Sequence, residues 1–132
     1  MAKKSYFCGK IPNEMKKVLP LLLWVLLAFV GCQRGPVMYE MAEKPSQVVE
    51  NTEKFVNQTE KRAKHYSDED WQVVVKQFSN MSKNYYENYQ YLTEEEQMRF
   101  NNARVKLMNV VTANGNIEIA MQMKDEYSKI FQ

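Results

Sequence analysis

The chain has 132 residues, with 18 lysines and arginines, 16 aspartates and glutamates, two cysteines and one histidine. That length holds one small domain, and cysteines at positions 8 and 32 alone make neither a disulfide-stapled scaffold nor a zinc-thiolate cluster. A formal charge of +2 marks no nucleic-acid surface, the more so because the positive excess sits at the start of the chain.

The first predicted element is an export signal over residues 1–31. Leu21 to Val30 are ten consecutive apolar residues. A spanning helix needs about 20, whereas the apolar core of a signal has ~7–15. Lys16 and Lys17 supply the basic flank that stays cytoplasmic, and Gly31 is the small residue that a signal peptidase needs. Residues 1–14 make an overlong leader containing Pro12 and Glu14, so Met15 is the expected initiator. Five basic residues and one acidic residue precede Cys32, so the other 101 residues carry 13 basic and 15 acidic side chains, near −2. Cys32 is then the sole cysteine, leaving no disulfide or thiol catalyst.

Phe29, Val30, Gly31 and Cys32, "FVGC", resemble the lipobox of bacterial lipoproteins, with Phe29 where that family usually has leucine. The resemblance implies that the signal is cut before Cys32, that the Cys32 sulfur takes a diacylglycerol and that the new N-terminus is acylated. Each buried CH₂ contributes ~0.8 kcal/mol, so several acyl chains hold a protein stably on a membrane. Gln33 is not the aspartate that retains such proteins at the inner membrane, and no acidic run follows the cysteine. By resemblance the protein belongs on the outer membrane, facing the periplasm. Residues 33–45, "QRGPVMYEMAEKP", contain Gly35-Pro36, mixed charges and no sustained period. Together with Cys32 they read as a lipidated tether, 32–45, ahead of a folded domain over 46–132.

From Ser46 onward the pattern is helical. Val48, Thr52, Phe55, Thr59, Ala63 and Tyr66 recur at three- and four-residue spacing, which puts them on one face of a helix over about 46–65. Trp71, Val74, Val75, Phe78, Ser82, Tyr85, Tyr89 and Leu92 do the same for a helix over about 68–91. Phe100, Ala103, Leu107, Val110 and Val111 form a third stripe, and Ala120, Met123, Tyr127, Ile130 and Phe131 a fourth. "SDED" (Ser67–Asp70) and "TEEE" (Thr93–Glu96) are capping boxes, a hydroxyl residue three before an acid. They explain the acid clusters as helix starts; a calcium loop needs spaced oxygens, a central glycine and a closing glutamate that are missing here. Asn114-Gly115 suits a helix C-terminus and predicts a turn into a fourth helix. The two-residue connection at Leu92-Thr93 predicts that the second and third helices are antiparallel and adjacent. The expected fold is all-α, an up-down antiparallel bundle of three long helices and a shorter fourth.

"HYSDEDWQVVVKQF" and "YLTEEEQMRFNNARVKL", between His65 and Leu107, are similar to small Bacteroidales lipoproteins with an uncharacterised helical domain. In those proteins a Tyr-Ser/Thr-Asp-Glu-Asp-Trp helix start precedes a second start of the Thr-x-Glu-Glu type, and Trp71 is the most distinctive matching residue. The resemblance implies a fold and an address and brings no activity with it.

Catalytic constellations are sparse. His65 is the single histidine, at a helix end where it serves the last carbonyls, and Gly115 is the single glycine of the folded part, so there is no phosphate-cradling loop. No enzyme, cofactor or metal is expected. The run "NYYENYQYL" (Asn84–Leu92) holds two tyrosines off the core stripe, Tyr86 and Tyr91. They read as edge packing or as a partner- or glycan-binding patch, with Met98, Met108, Met121 and Met123 as core filler or adaptable surface. The expected function is a lipid-anchored binding or adaptor module for an envelope protein, the alternative a structural, self-associating lipoprotein that completes its burial in a homo-oligomer.

Overall fold

The helix starts follow from side chains that satisfy the first free backbone N–H groups. In the computed structural model of the protein, which describes residues 35–132, helix α1 spans Pro45–Arg62, α2 Asp68–Asn88, α3 Glu94–Ala113 and α4 Ile117–Ile130. Pro45 opens α1, where its missing N–H is no loss. The Gln47 amide oxygen accepts from the N–H groups of Glu43 and Lys44, at 3.2 and 3.3 Å. Before α2, the Asp70 N–H donates to Ser67 Oγ at 3.2 Å and the Ser67 N–H to the Asp70 carboxylate at 3.0 Å. Thr93 and Glu96 exchange the same pair of bonds before α3, at 3.1 and 3.0 Å. Both capping boxes stand where the sequence put them.

The helix ends are less regular. Helix α1 stops three residues before its expected end and tightens into a 3₁₀ turn, Ala63–His65. Helix α2 likewise gives way at Asn88 to a 3₁₀ turn, Tyr89–Tyr91. Helix α3 ends as expected. The Asn114 amide donates to the Val110 carbonyl at 2.7 Å, and Gly115 sits at φ 77°, the left-handed region that only glycine enters without strain.

Residues Pro36–Gln132 form one compact unit, a bundle of four helices with no strand among the described residues. Successive helices run in opposite directions, as expected. Their closest approaches, however, join parallel and non-consecutive helices. Glu53 pairs with Arg99 and Glu60 with Lys106, which sets α1 beside α3 in one register. Phe78 meets Tyr127 and Tyr86 meets Phe131, which sets α2 beside α4. The expected adjacency of α2 and α3 is thereby corrected. They face each other across the core, where the Tyr85 ring stacks on Phe100 at 3.7 Å. Two aromatic rings between two helices hold their backbones apart, and the 3₁₀ turn at the connection lets the axes splay.

A second correction concerns the tether. From Pro36 the chain is no free spacer. Val37 and Tyr39 are buried and belong to the core cluster, while Met38 and Glu40 point outward, the alternation of an extended strand. The Tyr39 N–H donates to Gln77 Oε1 at 2.8 Å and its hydroxyl to Asn84 Oδ1 at 2.8 Å. The Ala42 N–H reaches the same Asn84 oxygen at 2.9 Å, and the Asn51 amide donates to the Glu40 carbonyl at 3.1 Å. Gln77 and Asn84 lie seven residues apart on α2, two turns on one face, so a pair of buried amides grips an extended strap, residues 36–44. The strap starts beside Tyr66 and runs parallel to α2. It begins at the pole where α1 and α3 end and α2 and α4 begin, here the turn pole, and it ends at the opposite pole.

Candidate functional site

The site is built at that opposite pole from residues of three helices. After Asn88 the 3₁₀ turn departs from the helical path, so Tyr89 swings out of the core stripe and stands 48% exposed. This corrects the expectation that Tyr89 continues the buried face. Leu92 turns back inward and is buried, with the Gln97 side-chain amide donating to its carbonyl at 3.3 Å. Tyr85 keeps the core stripe and forms the floor. One face of its ring lies on Phe100, and the Tyr89 ring stands edge-on to it at 5.6 Å. Burial, seconded by the neighbouring Tyr127 and Tyr89 hydroxyls, pushes the Tyr85 phenol up to about 12, so it is a hydrogen-bonding group and not an anion across the physiological range.

Helix α4 supplies the far wall. Tyr127 and Phe131 are one turn apart with ring centroids at 4.5 Å, and Phe131 meets the Tyr86 ring edge-on at 5.3 Å. The Arg104 guanidinium lies 4.6 Å over Tyr127 and braces it from the α3 side by a cation–π contact. These elements enclose an open groove of about 680 Å³ lined by Tyr85, Tyr86, Glu87, Tyr89, Gln90, Gln97, Asn101, Tyr127 and Phe131. Glu87 is the one charged lining residue, beside three neutral amides and five aromatic rings. Such a lining offers stacking faces and neutral donors and acceptors, the composition of a recognition site.

Of the residues singled out from sequence, Tyr86 lines this groove and is 55% exposed, whereas Tyr91 is 65% exposed on the outer side of the turn and does not line it. Cys32 lies outside the described residues. His65 is exposed in the 3₁₀ turn at the turn pole. The methionines divide: Met123 is fully buried, while Met98 and Met121 stand in solvent. Tyr127, Phe131, Gln97 and Asn101 were missed as site residues. Their stripes mark them as core or surface, and only the meeting of α2, α3 and α4 at one pole makes them a lining. Among the described residues no group of His, Asp and Glu side chains is placed to hold a metal ion, and no helix is long and apolar enough to cross a membrane.

A family model described as a domain of unknown function, DUF6565, matches residues 59–132. The chain belongs to this family. No curated protein and no solved structure matches it. Every groove residue lies inside the stretch matched by the DUF6565 model, as do the two capping boxes and Trp71, which is buried against Tyr66 with ring centroids at 5.1 Å. The strap and most of α1 precede that stretch.

Proposed function

We propose that this DUF6565 protein is a binding module of the cell envelope, lipid-anchored at Cys32 on the periplasmic side of the outer membrane, whose aromatic groove holds a segment of a partner protein. The anchor is supported by the ten-residue apolar run, its basic flank and the Gly31-Cys32 junction. The observation that carries the binding role is the exposure of Tyr86, Tyr89 and Phe131, 55, 48 and 36%, around one groove. Rings of this size contribute most to burial and to interfaces, and a cluster left in water at one rim marks an interaction surface.

The occupant is argued from the strap. This bundle already holds one extended segment, with a tyrosine inserted against Phe55 and side-chain amides accepting from backbone N–H groups. The groove repeats those components. Gln90, Gln97 and Asn101 can serve a peptide backbone, the rings an apolar side chain, and Glu87 favours a neutral or basic segment over an acidic one.

The test is a photo-reactive residue placed in turn at Tyr86, Gln97 and Tyr91 in cells, with the captured peptide identified by mass. The expected result is one product from positions 86 and 97, absent from 91, abolished by Phe131→Ala and displaced by a synthetic copy of the captured segment. A product consisting of a second copy of this chain would replace the reading with self-association. No product at either groove position overturns it.

A further inference from the structure

The strap changes what a lipid anchor would do to the domain. Were residues 33–45 a free spacer, 13 residues would separate Cys32 from the fold. At ~3.3–3.6 Å per residue their reach is about 45 Å, longer than α2, whose 21 residues span about 31 Å. Any face of the bundle could then meet the membrane. But Val37 and Tyr39 are buried, and Tyr39 and Ala42 are bonded to Gln77 and Asn84. Only Gln33, Arg34 and Gly35 separate Cys32 from Pro36, a reach of about 14 Å at full extension. That is under half the length of α2. Pro36 lies next to Val37, whose backbone is beside Tyr66 at the turn pole.

We propose that the short tether holds the anchored domain on the bilayer by its turn pole, the ends of α1 and α3 and the starts of α2 and α4, with the aromatic groove directed away from the membrane. The proposal rests on the lipid-anchor reading above. The surface that meets the lipid is charge-mixed: Lys61 and Arg62 close α1, Lys64 follows in the 3₁₀ turn, Asp68 and Glu69 open α2, and Glu118 lies near the start of α4. The opposing signs leave the short tether as the orienting restraint. Ile117, the first residue of α4 and 66% exposed, is a single apolar side chain at this pole, compatible with the headgroup boundary but too small to hold the domain there without the short tether. The arrangement presents the groove to partners across the gap, as far from the anchoring leaflet as the bundle allows.

The test uses the full lipidated chain in vesicles containing lipids with nitroxide-labelled headgroups. With Cys32 acylated, no other cysteine follows it, so Lys64→Cys at the turn pole and Tyr91→Cys at the opposite pole each carry one thiol-linked fluorophore. The expected result is that the label at 64 loses more than half of its emission, the label at 91 little, and that 0.5 M salt leaves the contrast in place. Inserting twelve Gly and Ser residues between Gln33 and Arg34 is expected to erase the contrast. Equal or reversed quenching overturns the proposal. So does a contrast that survives the insertion, since the pole itself would then be adhering to lipid. Wild-type protein that fails to float with the vesicles, behaving like Cys32→Ala, overturns the anchor reading first and the orientation with it.

Discussion

Two tyrosine-and-amide surfaces on this bundle have opposite fates. In the strap seat between α1 and α2, Tyr39 is 6% exposed, its ring edge-on to Phe55 and its hydroxyl bonded to Asn84. In the groove between the ends of α2 and α4, Tyr86 has its ring edge-on to Phe131 and yet half of its surface in water. The chemistry is similar and the occupancy differs, because the chain folds a segment of itself into the seat. Side chains in the seat are therefore committed to stability. Those at the groove rim stand largely in water and contribute little to it.

The largest effect that tests this division comes from beneath the groove floor. Phe100 is fully buried under Tyr85, so Phe100→Ala is expected to cost about 3–5 kcal/mol by denaturant unfolding. The layer beneath the floor thus behaves as core, although the Tyr85 ring that rests on it lines the groove. Next comes Asn84→Leu, which strips one acceptor from two donors, the Tyr39 hydroxyl and the Ala42 N–H. A buried donor without a partner costs about 1–3 kcal/mol, so a loss of about 2–4 kcal/mol is expected. Protease cleavage within residues 36–44 should rise in the same variant.

Titration tests the seat by another route. Burial pushes Tyr39 up to about 12 from an ordinary 10. A folded value above the unfolded one means that the folded state holds the phenolic proton more tightly. This stabilisation is complete below pH 10 and disappears as the pH rises towards 12. Tyr39→Phe is expected to flatten the fall in stability across that window, as read by denaturant unfolding at a series of pH values. An unchanged fall in Tyr39→Phe would mean that the seat does not hold the phenolic proton.

Some of this was open to inspection in the chain and some was not. Ser67–Asp70 and Thr93–Glu96 act within four residues, so their caps are legible to the residue, and Gly115 announces its turn because few other residues tolerate φ 77°. The stripes from Phe100 to Val111 are buried as their spacing says. The strap escaped notice because its signal is two alternating residues, Val37 and Tyr39, and the amides that hold it lie 38 and 45 positions away. Tyr86 was legible as a residue off the core face. Tyr89 was misplaced because a helical period does not say where the helix stops. The partners of Tyr86 come from α4, and no local pattern pairs Phe131 with a tyrosine 45 residues earlier.

Gly115→Ala probes the pole away from the groove. A Cβ there meets nothing within 4 Å, so the cost is conformational alone, about 1 kcal/mol for a left-handed alanine. Thermal unfolding should register it, and capture at the groove should not change.

The smallest change in stability carries the greatest weight. Tyr86→Ala removes a ring that is 55% exposed and touches Phe131 by one edge, so unfolding should shift by no more than about 1 kcal/mol. Tyr91→Ala removes a ring exposed to a similar degree that does not line the groove, and its effect on stability should be as slight. The two variants then differ in binding alone. An aromatic anchor at the centre of an interface contributes about 2 kcal/mol or more, roughly thirtyfold in affinity for the captured segment, and that loss is expected for Tyr86→Ala and not for Tyr91→Ala. Equal losses would make tyrosine exposure as such the attractant. A deep loss of stability for Tyr86→Ala would return the rim to the core and end the contrast with the seat.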